Sequence, residues 1–218
     1  MGVRKTKDMA EAIALIDYGA GNLHSVHNAL IAAGAERVAV TSDPVIVRGA
    51  RRIVLPGVGS FKACADGLNA IPGLVETLDE RVIAGGVPFL GVCVGMQLLA
   101  TRGLEHGSTD GLGWIAGEVR AIEPADPTIK IPHMGWNDVW PAPHGRDGAS
   151  LIEPGEAYFL HSYHFRPEQG RDIAAMTDHG GGLVAAVARD NLVGVQFHPE
   201  KSQGYGLELL ARFLEWNP

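Results

Sequence analysis

The clearest indication of the fold of this chain comes from the segment Val87-Pro88-Phe89-Leu90-Gly91-Val92-Cys93-Val94-Gly95-Met96-Gln97-Leu98-Leu99. It is an apolar run that breaks at a cysteine framed by two glycines and resumes with the spacing of a helix. The pattern predicts a buried strand that turns sharply into a helix, with Cys93 at the corner. Because such an elbow holds its central residue in a strained conformation, residues without side chains are needed at Gly91 and Gly95. Cys93 is therefore a candidate nucleophile.

The motif Gly-x-Cys-x-Gly is short, and a chain with 29 glycines can contain it by chance. A small buried cysteine in a glycine-rich turn is the structural alternative. The corner also directs the sulfur toward the first turn of the following helix, where free N–H groups and the positive end of the helix dipole favour thiolate over thiol. The rest of the chain has to distinguish the two interpretations.

Size, charge and cysteine usage limit the classes of protein to which the chain can belong. With 218 residues, 46% of them hydrophobic, it can bury a full core and is most simply one domain. The net charge of −7 argues against a nucleic-acid or membrane-surface binder, and no apolar run reaches the ~20 residues of a membrane span. Two cysteines in a chain of this size indicate reduced thiols and a cytoplasmic protein.

Strands that alternate with helices predict the architecture of the first half. The predicted strands are 12–17, 38–41, 52–55 and 87–93. The predicted helices begin at Asn22, at Ser60 and at Pro72. This alternation predicts an α/β fold with an open, mostly parallel, doubly wound sheet flanked by helices, whose strand ends gather their loops in one crevice. Residues 1–11 are expected to be a flexible N-terminal tail, and 12–218 a single domain.

The second half of the chain predicts short strands separated by Gly, Pro and Asp turns. They are 114–122, 129–140, 157–165, 172–177, 183–189 and 192–197. We expect them to form an antiparallel β extension of the sheet before a closing helix at 205–216. The expected buried stripe of that helix is Leu207, Leu210, Ala211 and Leu214.

A thiol nucleophile requires a base, and the base requires a group that orients it. The motif His198-Pro199-Glu200 supplies both at the end of an apolar strand. In an extended segment, residues two apart project to the same side, so Glu200 can fix the imidazole tautomer while the other ring nitrogen faces Cys93. The chain has nine histidines, and it is the motif that makes His198 a candidate general base.

Acyl chemistry also requires donors for a developing oxyanion. The backbone N–H of Val94, directly after the nucleophile, is one candidate. Val58 is the other, because the flanking Gly57 and Gly59 allow its peptide to point into or out of the site. An ordinary strand-to-helix turn is the alternative interpretation of this loop.

Residues 91–97 together with His198-Pro199-Glu200 resemble the triad-type glutamine amidotransferases, and the resemblance runs from about residue 12 to 216. These enzymes release ammonia from glutamine through a γ-glutamyl thioester, which implies that Cys93, His198 and Glu200 form a catalytic triad in a single amidotransferase domain. Four segments further resemble the glutaminase subunits that serve imidazole glycerol phosphate synthesis in the histidine pathway. They are Asp17–Leu23, Pro56–Gly59, Pro132–Asn137 and His198–Ser202.

The resemblance implies roles that the residue pattern alone does not mark. The implied substrate-binding residues are Gln97, Glu105, His161, Ser162 and Tyr163, with Glu105 pairing with the α-ammonium group of glutamine. The implied partner-interface residues are Asn22, Trp136, Tyr163 and Lys201. The implied partner is a cyclase subunit with a (β/α)8 barrel, in a one-to-one heterodimer. From the residues alone, a solvated position for Gln97 and a core position for Trp136 are the alternative interpretations.

The chain has no phosphate-binding loop or dinucleotide fingerprint, so the acceptor of the ammonia must lie on another polypeptide, and we expect no cofactor and no metal. Two alternatives remain open. One is a glutaminase subunit for another acceptor, in anthranilate, guanylate or pyridoxal phosphate synthesis. The other is a non-catalytic binding module with the amidotransferase fold, which the presence of all three triad residues disfavours.

Overall fold

A computed structural model of the chain describes residues 12–143 and 147–218. The tail predicted at 1–11 lies outside the described residues. The strands are β1 (Ile13–Ile16), β2 (Val38–Thr41), β3 (Arg52–Gly57), β4 (Phe89–Cys93), β5 (Arg102–Gly103), β6 (Thr109–Asp110), β7 (Gly117–Ala121), β8 (His133–Pro141), β9 (Gly155–His161), β10 (Tyr163–Pro167), β11 (Ile173–Asp178), β12 (Gly182–Arg189) and β13 (Leu192–Val195). The α-helices are α1 (Leu23–Ala32), α2 (Pro44–Gly49), α3 (Phe61–Asn69), α4 (Leu74–Leu78), α5 (Val94–Gln97) and α6 (Gln203–Glu215).

The described strands form a large sheet in the order β2-β1-β3-β4-β13-β12-β11-β8-β9. Its first five strands are parallel, and the remaining four continue it in antiparallel fashion. The chain passes from β1 outward to β2 and then returns to β3 on the other side of β1. A reversal of this kind opens a crevice at the carboxyl ends of the strands. The predicted fold class, a parallel doubly wound sheet with an antiparallel extension, is confirmed.

A smaller sheet, in the order β10-β7-β5-β6, was not expected from the sequence. The predicted single strand 157–165 is wrong, because the chain leaves the large sheet at Ser162. Residues before it pair with β8, and residues after it pair with β7. The backbone carbonyl of Ser162 accepts a hydrogen bond from Ile122 at 2.9 Å, which ties the crossing point to the end of β7.

Helices flank the large sheet in two groups, with α1 packed against α6, and α4 packed against α2 and α3. Helix α2 was not predicted from the sequence, although Asp43 caps it by accepting a hydrogen bond from the backbone N–H of Val45 at 2.9 Å. Asn22 precedes α1 as predicted, but its side chain makes no capping hydrogen bond.

The buried stripe of α6 differs from the prediction. It consists of Gly206, Leu209, Leu210 and Phe213. Gly206 sets this face, because a Cβ atom there would overlap the carbonyl oxygen of Pro199. In the part of the chain that the structure describes, no helix combines the length and apolarity that crossing a membrane requires.

Candidate active site

Cys93 stands at a sharp corner between β4 and α5. Its φ of 54° and ψ of −112° are unusual for a residue with a side chain. A Cβ atom at Gly91 would lie 2.6 Å from the carbonyl oxygen of Gly95, and one at Gly95 would overlap the carbonyl oxygen of Leu55. The elbow and its requirement for two glycines are therefore as the sequence predicted.

The helix after the elbow is shorter than expected, since α5 is a single turn. A helix dipole is the sum of aligned peptide dipoles, so one turn supplies only part of the effect on the thiol that the sequence suggested. Side chains provide further polar contacts to the Cys93 sulfur. These are the imidazole of His198 and the carboxamide of Gln196, whose Nε2 lies 3.7 Å from Sγ.

His198 reaches the elbow because β13 runs parallel to β4, with Val195 in register with Val92. Its Nδ1 lies 2.9 Å from Oε1 of Glu200, and both side chains are almost wholly buried. The contact forms differently from the prediction, because Pro199–Lys201 is a turn of 3-10 helix rather than extended chain. Since Nδ1 is engaged by Glu200, the Nε2 atom is left to face the thiol.

The hydrogen bonds of His198 determine its protonation state. Burial by itself lowers the pKa of the ring, but the hydrogen bonds to Cys93 and Glu200 outweigh burial and raise the pKa to about 9. The imidazole therefore carries its second proton at neutral pH. Oε2 of Glu200 is buried without a hydrogen-bond partner in the described part of the chain, so the hydrogen bonding of this carboxylate is directed at His198.

A cleft of about 160 Å³ contains Cys93 and His198. It is also lined by all the residues to which the resemblance gave a substrate role: Gln97, Glu105, His161, Ser162 and Tyr163. The volume is below the ~300–1,000 Å³ of sites for drug-sized ligands and suits a small amino acid. A larger cavity, of about 310 Å³, lies between Arg120, His164 and His179, but no cysteine, serine or threonine is among the described residues that line it.

The two candidate oxyanion residues lie beside the thiol. Gly57 is in register with Cys93 across β3 and β4, so Val58 and Val94 leave the sheet side by side, and both line the cleft. The glycine after Val58 has a φ of 103°, which permits the tight turn that follows. The carbonyl of Val58 accepts a hydrogen bond from the buried thiol of Cys64 at 3.5 Å, so this loop is hydrogen-bonded to α3.

Gln97 is buried, with 3% of its surface exposed, so its interpretation as a solvated position is wrong. Its Nε2 donates to the backbone carbonyl of Tyr163 at 2.9 Å and to Oε1 of Gln196 at 3.0 Å. A backbone carbonyl can only accept, which fixes the orientation of the Gln97 amide. Both amide hydrogens are thus used within the protein, and Oε1 is the atom left to accept a hydrogen bond from a ligand.

Glu105 is anchored by a hydrogen bond of 2.7 Å from the backbone N–H of Phe61 to its Oε2. Among the described residues that line the cleft, it is the one carboxylate. A negative charge at this position complements the α-ammonium group of an amino acid.

A chain of neutral histidines supports the far wall of the cleft. Nδ1 of His161 donates to the carbonyl of Tyr163 at 2.8 Å, so its Nε2 accepts from Nδ1 of His133 at 3.0 Å. Nε2 of His133 in turn accepts from the Asn137 amide at 3.0 Å. Burial lowers the pKa of His161 to about 3 and that of His133 to about 4, so both rings stay uncharged at neutral pH.

An exposed apolar face lies on β8 and β9, next to the mouth of the cleft. Trp136 is 47% exposed, so its interpretation as a core residue is wrong. Its ring makes an edge contact with Tyr158, over which the ammonium group of Lys201 lies at 5.7 Å from the ring centre. Met134 and Leu160 pair across the same strands and are also exposed.

Of the four implied interface residues, Lys201 and Tyr163 line the cleft, and Trp136 lies on the exposed face beside it. Asn22 lies at the amino end of α1, the helix that packs against the turn containing Lys201. Within residues 12–143 and 147–218, no group of three or more His, Cys, Asp or Glu side chains is placed to hold a metal ion.

Gln196 is a residue of the site that was not predicted from the sequence. The available signal was a polar residue within the apolar run that leads to His198, because such a side chain, which is fully buried in the structure, requires a hydrogen-bond partner.

Residues 14–216 match the family model described as glutamine amidotransferase class-I. The chain belongs to this family of glutamine amidotransferases.

Solved structures share the fold at low sequence identity. One titled as a glutamine amidotransferase has a TM-score of 0.70 at 18% identity and covers 93% of this chain and 97% of its own. The PurLQS structure from Thermotoga maritima has a TM-score of 0.67 at 17% identity, with 94% and 97% covered.

Curated relatives show which group within the family the chain is similar to. The imidazole glycerol phosphate synthase subunit HisH of Zymomonas mobilis is 56% identical over 96% of this chain and 98% of its own length. The subunit of the same name from Rhodospirillum rubrum is 53% identical, with 94% and 99% covered. The resemblance drawn from the sequence motifs is thereby confirmed.

Proposed function

We propose that the chain is the glutaminase subunit of an imidazole glycerol phosphate synthase, and that Cys93, His198 and Glu200 carry out the hydrolysis of glutamine. The observation that carries this proposal is the placement of a strained cysteine and of His198, which contacts the buried Glu200, in one cleft of amino-acid size. The identity of about half to HisH subunits over nearly the full length supports the choice of acceptor pathway over the anthranilate, guanylate and pyridoxal phosphate alternatives.

In the first half of the reaction, the sulfur of Cys93 attacks the side-chain carbonyl carbon of glutamine. The backbone N–H groups of Val58 and Val94 stabilise the negative charge on the oxygen of the tetrahedral intermediate. When the C–N bond breaks, the imidazolium of His198 gives its proton to the departing nitrogen, which leaves as ammonia. The raised pKa of His198 means that this proton is already on the ring before substrate binds.

In the second half, water attacks the γ-glutamyl thioester. His198 accepts a proton from the water, the C–S bond breaks, and glutamate leaves with the sulfur restored. Glu200 holds the imidazolium in place throughout. Glu105 binds the α-ammonium group of the substrate, and Oε1 of Gln97 accepts a hydrogen bond from the substrate within the same cleft.

The partner in this proposal is a cyclase subunit with a (β/α)8 barrel, which forms a one-to-one heterodimer with this chain. It docks on the exposed apolar face of Met134, Trp136 and Leu160, which borders the mouth of the cleft. An apolar face of this kind next to a catalytic cleft is typical of a protein interface. Docking there encloses the ammonia before it can protonate in bulk water.

Glutamate release, measured with and without a cyclase subunit and its acceptor nucleotide, tests the proposal. The native chain should release glutamate faster in the complex, and Cys93→Ala should release none under either condition. Equal turnover with and without the partner would contradict the subunit assignment. Turnover by Cys93→Ala would contradict the mechanism, and a native chain that binds the cyclase without releasing glutamate would be a binding module.

A further inference from the structure

Gln196 follows β13 within the apolar run that leads to His198, and none of its surface is exposed. Its Nε2 lies 3.7 Å from the sulfur of Cys93, within the range of a hydrogen bond to sulfur. The structure therefore places a neutral donor against the reacting atom, in addition to the imidazole of His198.

The orientation of the Gln196 amide is imposed by its neighbour. Its Oε1 accepts a hydrogen bond from Nε2 of Gln97 at 3.0 Å, and Gln97 is itself fixed by the carbonyl of Tyr163. If the Gln196 amide were reversed, two NH₂ groups would face each other in a buried site, and a carbonyl oxygen would face the sulfur. The network thus excludes the reversed amide and directs the donor at Cys93.

We propose that Gln196 is a further catalytic residue of the glutaminase, whose carboxamide donates a hydrogen bond to the Cys93 thiolate, and that Gln97 positions this donor. The catalytic role of Gln196 in this inference depends on the proposed function. A hydrogen bond from a neutral amide to an anion favours the anion over the neutral thiol. Gln196 therefore stabilises the nucleophilic form of the sulfur without adding a charge to the cleft.

The test is the pH dependence of alkylation of Cys93 by iodoacetamide in the full-length chain, located by mass spectrometry of the digest. The Gln196→Met variant keeps the length of the side chain but removes the donor. We expect the midpoint of its alkylation profile to rise by about one pH unit, as a hydrogen bond to a charged group of ~1.5 kcal/mol implies. The Gln196→Glu variant places a carboxylate against the sulfur and should shift the midpoint further in the same direction.

Other titratable groups near the sulfur remain in place in these variants. They are Tyr18, Cys64, Glu105, His198, Glu200 and Lys201. The exposed Gln169 offers a matched control, and Gln169→Met should leave the profile unchanged. Near-UV circular dichroism reports whether each variant keeps its packed core.

If Gln196→Met fails to fold, Gln97→Met tests the same inference, because it leaves the donor present but removes the group that orients it. It should give a smaller upward shift. A midpoint equal to that of the native chain in a folded Gln196→Met or Gln97→Met variant would overturn the inference. Alkylation does not require glutamine turnover, so a shifted profile in a chain without glutaminase activity would contradict the proposed function and leave the Gln196–sulfur contact standing.

Discussion

Nδ1 of His198 lies 2.9 Å from Oε1 of Glu200, and only Pro199 separates the two residues in the chain. The buried carboxylate both fixes the tautomer of the ring and stabilises its positive charge. We expect Glu200→Gln to lower kcat for glutamate release by roughly 10²–10⁴-fold, because a neutral amide no longer stabilises the imidazolium. Glu208→Gln, an exposed change on α6, is the control and should retain native kcat. Native kcat in Glu200→Gln would exclude a catalytic role for this carboxylate.

The same pair predicts how stability depends on pH. The pKa of His198 is about 9 in the folded chain and near 6.5 in the unfolded chain. A raised pKa contributes stability that is fully present below about pH 6.5 and is lost as the pH rises through about 9. Urea unfolding at pH values across this range should show a loss of stability in the native chain that His198→Asn lacks. If the free energies of unfolding of the two proteins changed with pH in the same way, the result would contradict a charged His198 ring in the folded chain.

A single added methyl group at the glycine elbow should strongly reduce the stability of the fold. Gly95→Ala would drive a Cβ atom into the carbonyl oxygen of Leu55, at the join of β4 and α5. We expect a loss of at least about 3 kcal/mol in the free energy of unfolding, since backbone must move. Gly204→Ala, where nothing lies within 4 Å, should be neutral or slightly stabilising. Similar unfolding free energies for the two variants would show that the elbow tolerates a side chain.

The exposed face on β8 and β9 predicts where the partner binds. Trp136→Ala should weaken binding of the cyclase subunit by ~10–100-fold, as expected for an aromatic side chain at the centre of an interface. Trp140→Ala is the matched control, since Trp140 is similarly exposed on the same strand but further from the cleft. Titration calorimetry measures both affinities. Equal losses of affinity in the two variants would contradict an interface centred at the mouth of the cleft.

The local pattern of the sequence was sufficient to predict the elbow, because apolar residues, a cysteine and two glycines define a buried strand and a sharp turn within a few positions. The His198–Glu200 contact was also predictable, since two residues of sequence separation bring the side chains together in either an extended segment or a turn. The extended geometry assumed for it was wrong, because Pro199 starts a 3-10 turn.

Features that depend on tertiary pairing were not predictable. The run 157–165 has no turn residue strong enough to reveal that the chain changes sheet at Ser162. A glutamine within an apolar run indicates a buried side chain that needs a hydrogen-bond partner. Only the parallel pairing of β13 with β4 identifies Cys93 as the partner of Gln196. By contrast, Asp43-Pro44 is an ordinary helix-start signal from which α2 could have been predicted.

Covalent labelling with a diazoketone analogue of glutamine tests directly whether Cys93 is the nucleophile. The analogue forms a stable bond with the group that attacks the side-chain carbonyl of glutamine. Mass spectrometry of the digested chain locates the label. We expect a single adduct on Cys93, none on the buried Cys64, and protection by excess glutamine. An adduct on any other residue that abolishes glutamate release, with Cys93 left unmodified, would contradict the assignment of Cys93 as the nucleophile.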